Sequence, residues 1–202
     1  WQRPDSGLWE LEDRWWTHSR LAVVAGLSAL AGALPHDPAA QRWTALARTV
    51  MSETRGRCLR PEGHWVRAED DNGADAALLL ALARGCVPPD DPSYGRTRAF
   101  VRDRLAQDGY LYRFRHGDRP LEEAEGAFLL CGLMMALAAH RQGDKIAAFR
   151  WFERTRAACG PPALFAEEYD VGQRQLRGNI PQAFVHALLL EAAVRLAGDA
   201  HT

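Results

Sequence analysis

Leu21-Ala-Val-Val-Ala-Gly-Leu-Ser-Ala-Leu-Ala31 is apolar nearly all the way round a helix. A helix without a polar face has to be buried on every side. After the turn Pro35-His-Asp-Pro38 the pattern changes: Ala39, Trp43, Leu46, Ala47, Val50 and Met51 form one stripe at helical spacing, with Arg, Gln and Glu opposite. The same alternation then repeats. Stretches 74–84, 123–141 and 182–197 are apolar all round, whereas 96–107 and 144–158 are one-sided, the latter with Ile146, Phe149 and Phe152 turned inward. Thr17 or Ser19 is expected to cap the first helix and Asp144 the sixth. Residues 109–115 read as a short strand pair or an extended loop.

Seven helices alternating in this way predict an all-α fold of stacked helical hairpins. The fully apolar helices would form an inner row and the one-sided helices an outer one. The loops leading into the apolar helices are the long ones, and loops beyond about 12 residues are usually functional. In a ring the inner helices all run the same way, so these loops open on one face. Glu10, His64, Trp65, the 110–125 segment and Glu167 could then line one basin despite their separation in sequence. The competing reading is an ordinary helical bundle with decorated loops.

Composition narrows the function. The chain of 202 residues carries a formal net charge of −1. Its basic side chains are almost all arginines scattered among acids, with Lys145 the one lysine, which argues against nucleic-acid binding. Cys58, Cys86, Cys131 and Cys159 have neither zinc-site spacing nor the density of a disulfide scaffold, and Cys131 reads as a core residue. The apolar runs are shorter than the roughly 20 residues needed to cross a bilayer, so no membrane partner is expected. Dinucleotide, P-loop, zincin and serine-hydrolase motifs are absent from the sequence, and no cofactor is expected. His18 and His186 each sit one turn into an apolar helix and read as core histidines. A chain that starts at Trp1 reads as a processed or partial product, with any targeting signal upstream; the expected compartment is the cytoplasm.

The loops hold a better lead. Hydrolysis of a glycosidic bond with inversion needs a carboxylic acid on the leaving oxygen and a carboxylate base for water on the other face, roughly 6.5–9.5 Å apart. Glu10, beside Trp9 and near Trp15 and Trp16, suits the acid, because an aromatic wall favours the protonated form. Glu167, in Pro161-Pro-Ala-Leu-Phe-Ala-Glu-Glu-Tyr-Asp170, suits the base. Aromatic faces pack on pyranose C–H groups, and planar polar side chains address hydroxyls. Trp9, Trp65, Tyr110, Tyr112, Arg113, Arg115, Arg119 and Tyr169 are loop residues of those types.

These residues also carry a resemblance. Trp1-Gln-Arg-Pro-Asp-Ser-Gly-Leu-Trp-Glu10 with Trp16-Thr-His-Ser19 resembles the general-acid segment of glycoside hydrolase family fifteen, the family of glucoamylases, glucodextranases and one group of microbial trehalases. Glu123-Ala-Glu-Gly-Ala-Phe-Leu-Leu-Cys131 is similar to its next signature. Leu164-Phe-Ala-Glu-Glu-Tyr-Asp170 with Gly178-Asn-Ile-Pro-Gln-Ala-Phe-Val-His186 is similar to its general-base segment.

The resemblance implies an α/α toroid of six helical hairpins that hydrolyses α-glucosidic bonds with inversion and without a cofactor. By position, Glu10 matches the proton donor and Glu167 the base. Glu125, Glu168 and Tyr169 fall within motifs on the substrate face. Ala166 stands where many members have Ser. The match covers the second half of such a toroid, so 1–202 is expected to be the C-terminal half of one catalytic domain. The upstream half, and any N-terminal β-sandwich, would precede Trp1 and be its main partner besides an α-glucoside. The alternative function is a non-catalytic helical module that binds glycans or protein. A phosphorylase would need an anion site in place of the carboxylate base.

Overall fold

The computed structural model describes residues 1–161 and 163–198. Helices α1 (Thr17–Ala33), α2 (Ala40–Cys58), α3 (Ala77–Ala83), α4 (Pro92–Leu105), α6 (Leu129–Arg141), α7 (Lys145–Arg156) and α8 (Ala183–Gly198) are the principal elements, with a one-turn α5 (Leu121–Ala124) between. They match the seven expected from periodicity, with shifted ends. Five short strands add a hairpin, β1 (Ala106–Gln107) with β2 (Tyr110–Leu111), and an antiparallel sheet in the order β3 (Ala127–Phe128), β4 (Glu168–Asp170), β5 (Gln175–Arg177). Of the 109–115 stretch only Tyr110–Leu111 is a strand, and its partner Ala106–Gln107 comes from the end of the expected 96–107 helix. The sheet was not expected, because Ala127 and Phe128 lie inside an apolar run that reads as continuous helix.

Neighbours in space follow the apolar pattern. The helices α1, α3, α6 and α8 pack on one another in that order, and α2, α4 and α7 lie beyond them. The middle of the inner row is closed on all sides: every residue of α3 except Leu80 is buried, and so is α6 from Cys131 to Ala139. Close approach helps here, because a Cβ on Gly132 of α6 would sit 2.2 Å from Thr155 Oγ1 of α7. The side chain of Asp144 caps α7, accepting from Ala147 N at 3.1 Å.

The ends of the row differ. The expectation that α1 is buried on all sides fails in this chain. It buries Thr17, Arg20, Leu21 and Val24, but Leu30 and Leu34 are 47% and 48% exposed. On α8, Val185, Leu188, Ala192 and Leu196 are buried while Phe184, Leu190 and Val194 are 69%, 66% and 72% exposed. Nor do Thr17 and Ser19 cap α1. The Thr17 N–H donates to Arg67 O at 3.1 Å, and Ser19 Oγ–H donates to Asp5 Oδ1 at 2.7 Å.

Asp5 belongs to a knot that fixes the N-terminal loop. The fully buried Arg20 pairs with Asp5, donates to the carbonyls of Trp1 and Arg3, and lies 4.6 Å over the Trp15 ring. A second hydrogen bond to Asp5 Oδ1 comes from Gly7 N, and the Asp5 backbone pairs with that of Arg14, Asp5 N donating to Arg14 O at 3.1 Å and Arg14 N to Asp5 O at 3.0 Å. Residues 1–14 are thereby tied to the start of α1, which sets where Glu10 can stand.

Candidate active site

A cavity of about 520 Å³ runs along the inner row beside α3, α6 and α8. Its walls include Leu80 and Arg84 from α3, Leu130 and Met134 from α6, and Phe184 and Leu188 from α8. Loops leading into three inner helices meet at it, supplying Trp9 and Glu10, Arg113 and Phe128, and Glu167 and Gln182. Of the residues singled out in the sequence, Glu10, Glu167, Trp9 and Arg113 line this space together.

Glu167 is firmly held. Its backbone extends the small sheet, with Glu167 N donating to Asn179 O at 2.9 Å and its carbonyl accepting from Leu129 N at 3.1 Å. Its Oε2 accepts from Asn179 Nδ2 at 3.1 Å and Asn179 N at 3.3 Å. Gly178, at φ +74°, permits this approach, because a Cβ there would lie 2.8 Å from Glu167 Oε2. Two N–H donors on one oxygen fix the orientation of the carboxylate. Below, His186 Nε2 accepts from Phe165 N at 3.3 Å, so the hydrogen-bonded neutral tautomer carries its proton on Nδ1, 2.8 Å from Gln182 O. His186 thus fastens this loop to α8 from behind.

Glu10 is set differently. It is exposed, and its backbone is left-handed at φ +52°, an uncommon conformation for a non-glycine residue. Such outliers cluster at functional sites when the surroundings enforce them. Here the Gly7–Glu10 turn is closed by Glu10 N donating to Gly7 O at 3.4 Å and Leu11 N to Ser6 O at 2.9 Å, and Trp9 within it is pinned. Its Nε1–H donates to Asp75 Oδ1 at 2.8 Å, its ring meets Phe128 edge-on at 5.7 Å, and the Arg113 guanidinium lies 5.7 Å above it. The aromatic wall expected from Trp15 and Trp16 is not there. Both are buried in the core, with Trp16 packed against Gly7.

Glu168 and Glu125 stand behind the cavity. Successive residues of an extended strand face opposite ways. Glu167 enters the cavity; Glu168 is half-buried on the other side and accepts from Gly126 N at 2.9 Å. Burial pushes the Glu168 carboxyl up from its ordinary value, and the neighbouring Glu125 adds to this. Glu125 grips Arg113 through Nε, 3.1 Å from Oε2, and through Nη2, with His116 Nε2 3.3 Å away. Glu125 therefore fixes Arg113 in the cavity wall.

Other expected ligand residues lie elsewhere. Trp65 is fully buried between α2 and α4, with Nε1 donating to Ser93 Oγ at 3.2 Å and its backbone N–H to Thr97 Oγ1 at 2.9 Å. It offers no face to a sugar, and the expectation is corrected. His64 stacks on Phe100 at 4.0 Å and is not among the lining residues. Tyr110 is likewise corrected: it is 5% exposed, packed on Tyr169 at 4.7 Å and under Arg154 at 4.4 Å. Tyr169 shares that aromatic pair outside the cavity wall.

Sequence reasoning missed Arg84, Gln182 and Glu191. Arg84 Nη2 donates to Glu191 Oε2 at 2.7 Å, an ion pair between α3 and α8 in the cavity wall that holds the Glu191 carboxyl below its ordinary value. A lone carboxylate within the apolar 182–197 helix was the available signal.

The segments that carry Glu10 and Glu167 thus meet at one cavity. Residues 1–194 match the family model described as glycosyl hydrolases family 15. The chain belongs to this family. A trehalase of Mycolicibacterium smegmatis is 32% identical over 203 residues, covering 97% of this chain and 30% of that protein. A trehalase of Mycobacterium tuberculosis is 31% identical with the same coverage, and trehalase 1 of Sulfolobus acidocaldarius is 28% identical over 98% of this chain and 34% of its own length. The chain therefore spans about a third of the length of these relatives.

Among solved structures, a wild-type glycosidase superposes with a TM-score of 0.86 at 23% identity, over 98% of this chain and 56% of that one. A bacterial glucoamylase complexed with acarbose gives 0.76 at 15% identity, over 94% and 34%. The helical fold is shared with both. No helix among the described residues is long and apolar enough to cross a membrane.

Proposed function

We propose that this chain is the C-terminal half of the catalytic domain of an inverting α-glucoside hydrolase, with Glu10 as general acid and Glu167 as general base. The observation that carries the reading is the meeting of Glu10 and Glu167, 157 positions apart in sequence, at one cavity with Trp9 and Arg113. Glu167 has its carboxylate oriented by Asn179, as a base aligned on water requires. Glu10 lies toward solvent in this chain, and the upstream half of the toroid would supply the rest of the wall that desolvates it. Exposed apolar faces on α1 and α8 are where that half would pack. Trehalose is the favoured substrate, since the curated relatives at 28–32% identity carry the name trehalase.

The test is a product screen on the full-length protein with trehalose, maltose and starch, following product anomers by NMR. Inversion predicts β-glucose as the first product from the cleaved α-bond. Glu10→Gln and Glu167→Gln should each lower kcat by about 10²–10⁴-fold. Near-full activity in either variant would remove that residue from its role. The 202-residue chain alone should turn over far more slowly than the full-length protein.

A further inference from the structure

Asp75 is a carboxylate, tied to Trp9 of the general-acid loop, that no step of this chemistry uses. It lies just before α3 with its side chain 5% exposed. Oδ1 accepts from Ala77 N at 2.8 Å, at the first turn of α3, and from Trp9 Nε1 at 2.8 Å. Arg67 Nε lies 3.2 Å from Oδ2. Asp75 bridges to Phe114, and the next residue, Ala76, donates its N–H to Arg113 O at 2.8 Å. The carboxylate is therefore held by the first turn of α3 and by the partly buried Arg67, with its backbone paired to the 113–114 segment, and its remaining contact is the indole of a loop residue adjacent to Glu10.

A catalytic group has to be held to within about 0.5 Å, and a group on a loop is held less well than one on a helix or strand. Glu10 has no side-chain anchor of its own among the described hydrogen bonds, and its backbone is left-handed. Asp5 ties the loop to α1, and the Trp9–Asp75 hydrogen bond is the side-chain link, beside Glu10, to the start of α3.

We propose that Asp75 is a positioning residue for the general acid: it holds the Trp9 indole and thereby fixes the Gly7–Glu10 turn that aims the Glu10 carboxyl into the cavity. The inference rests on the assignment of Glu10 as the acid. Asp75 touches no reacting atom. Its contribution is registration, by which the inner helix sets the position of an acid carried on a loop. Asn at this position keeps an Oδ1 acceptor for both N–H donors, whereas Ala does not.

The experiment uses the full-length protein labelled with ¹⁵N-indole tryptophan, with Trp9 assigned from its loss in Trp9→Phe. Asp75→Ala should shift the Trp9 indole N–H resonance and expose it to rapid solvent exchange, and Asp75→Asn should largely preserve it. With trehalose or maltose as substrate, Asp75→Ala should lower kcat by about 10- to 100-fold with KM changing less than about threefold. Asp75→Asn should recover most of the loss. In a Trp9→Phe background, Asp75→Ala should cost little more, because the hydrogen bond is already gone. An unmoved Trp9 indole in Asp75→Ala, or losses that multiply in the double variant, overturns the proposal. Retention of activity in Glu10→Gln would instead overturn the acid assignment, so the two failures read differently.

Discussion

Helices α6 and α8 are both apolar on nearly every face, yet their surroundings differ. From Cys131 to Ala139, α6 has no exposed residue; α8, its neighbour in the inner row, shows Phe184, Leu190 and Val194 to solvent. The helix α1 at the opposite end of the row behaves like α8, with Leu30 and Leu34 uncovered. Apolar periodicity reports what a helix faces in its complete setting, while burial in a given chain reports which neighbours are there. On the proposed half-toroid reading, the difference between the two maps the surface where the upstream half would pack.

That contrast can be broken experimentally, and the largest effect should come from the middle of the row. Leu133→Ala in α6 removes a fully buried side chain and should cost about 3 kcal/mol, as expected for a core leucine, in a denaturant melt of the 202-residue chain and of the full-length protein alike. A cost below about 1 kcal/mol in either would show that the centre of the row is not the closed core described above.

The next largest effect belongs to the anchored end of α1. Burial pushes His18 down from 6.5 to about 4, the nearby Asp5 partly opposing it, and its Nδ1 is enclosed without a hydrogen-bond partner. Because the folded value is the lower one, the unfolded chain binds the extra proton between about pH 6.5 and pH 4. Stability should therefore fall as pH drops through that window, by up to about 3 kcal/mol from this group. His18→Gln should flatten this part of the pH–stability curve. An unchanged slope in that variant would mean that the acid sensitivity lies with other groups.

The smallest effect should be at the open edge. Leu190→Glu on α8 should change the stability of the 202-residue chain by no more than about 0.5 kcal/mol, the usual size for a surface change. In the full-length protein the same substitution should cost several times more, because it would bury a charge against the upstream half. Equal effects in the two would leave the α8 face without its proposed cover.

Much of the fold was legible because each helix announces its face by its period. Asp144 was readable as a cap from its place after Gln142-Gly143, and Glu10 and Glu167 from their motifs. The rest was hidden for physical reasons. Ala127 and Phe128 pair as a strand, although nothing in Ala-Phe-Leu-Leu distinguishes two strand residues from the start of a helix. Trp65 looks like a sugar platform in a loop; its burial depends on Ser93 and Thr97 of a distant helix accepting its two N–H groups. Arg113 was readable as a planar polar side chain in a long loop, whereas its dependence on Glu125 appears only once the chain folds back. Asp75 gave no signal, since one acid before an apolar helix looks like an ordinary helix start.

Glu167 and Glu168 stand back to back, and the pairing of Phe128 with Glu168 decides which of them meets the cavity. Because strand side chains alternate with a period of two, sliding this ladder by one residue would exchange the two carboxylates. The number of residues between Gly160 and Glu167 is consequently a constraint in its own right. One added or deleted residue there that let the strand pair again would leave every helix intact and turn Glu167 away from the cavity. In this stretch the spacing of the chain, more than its chemistry, is what inheritance has to keep.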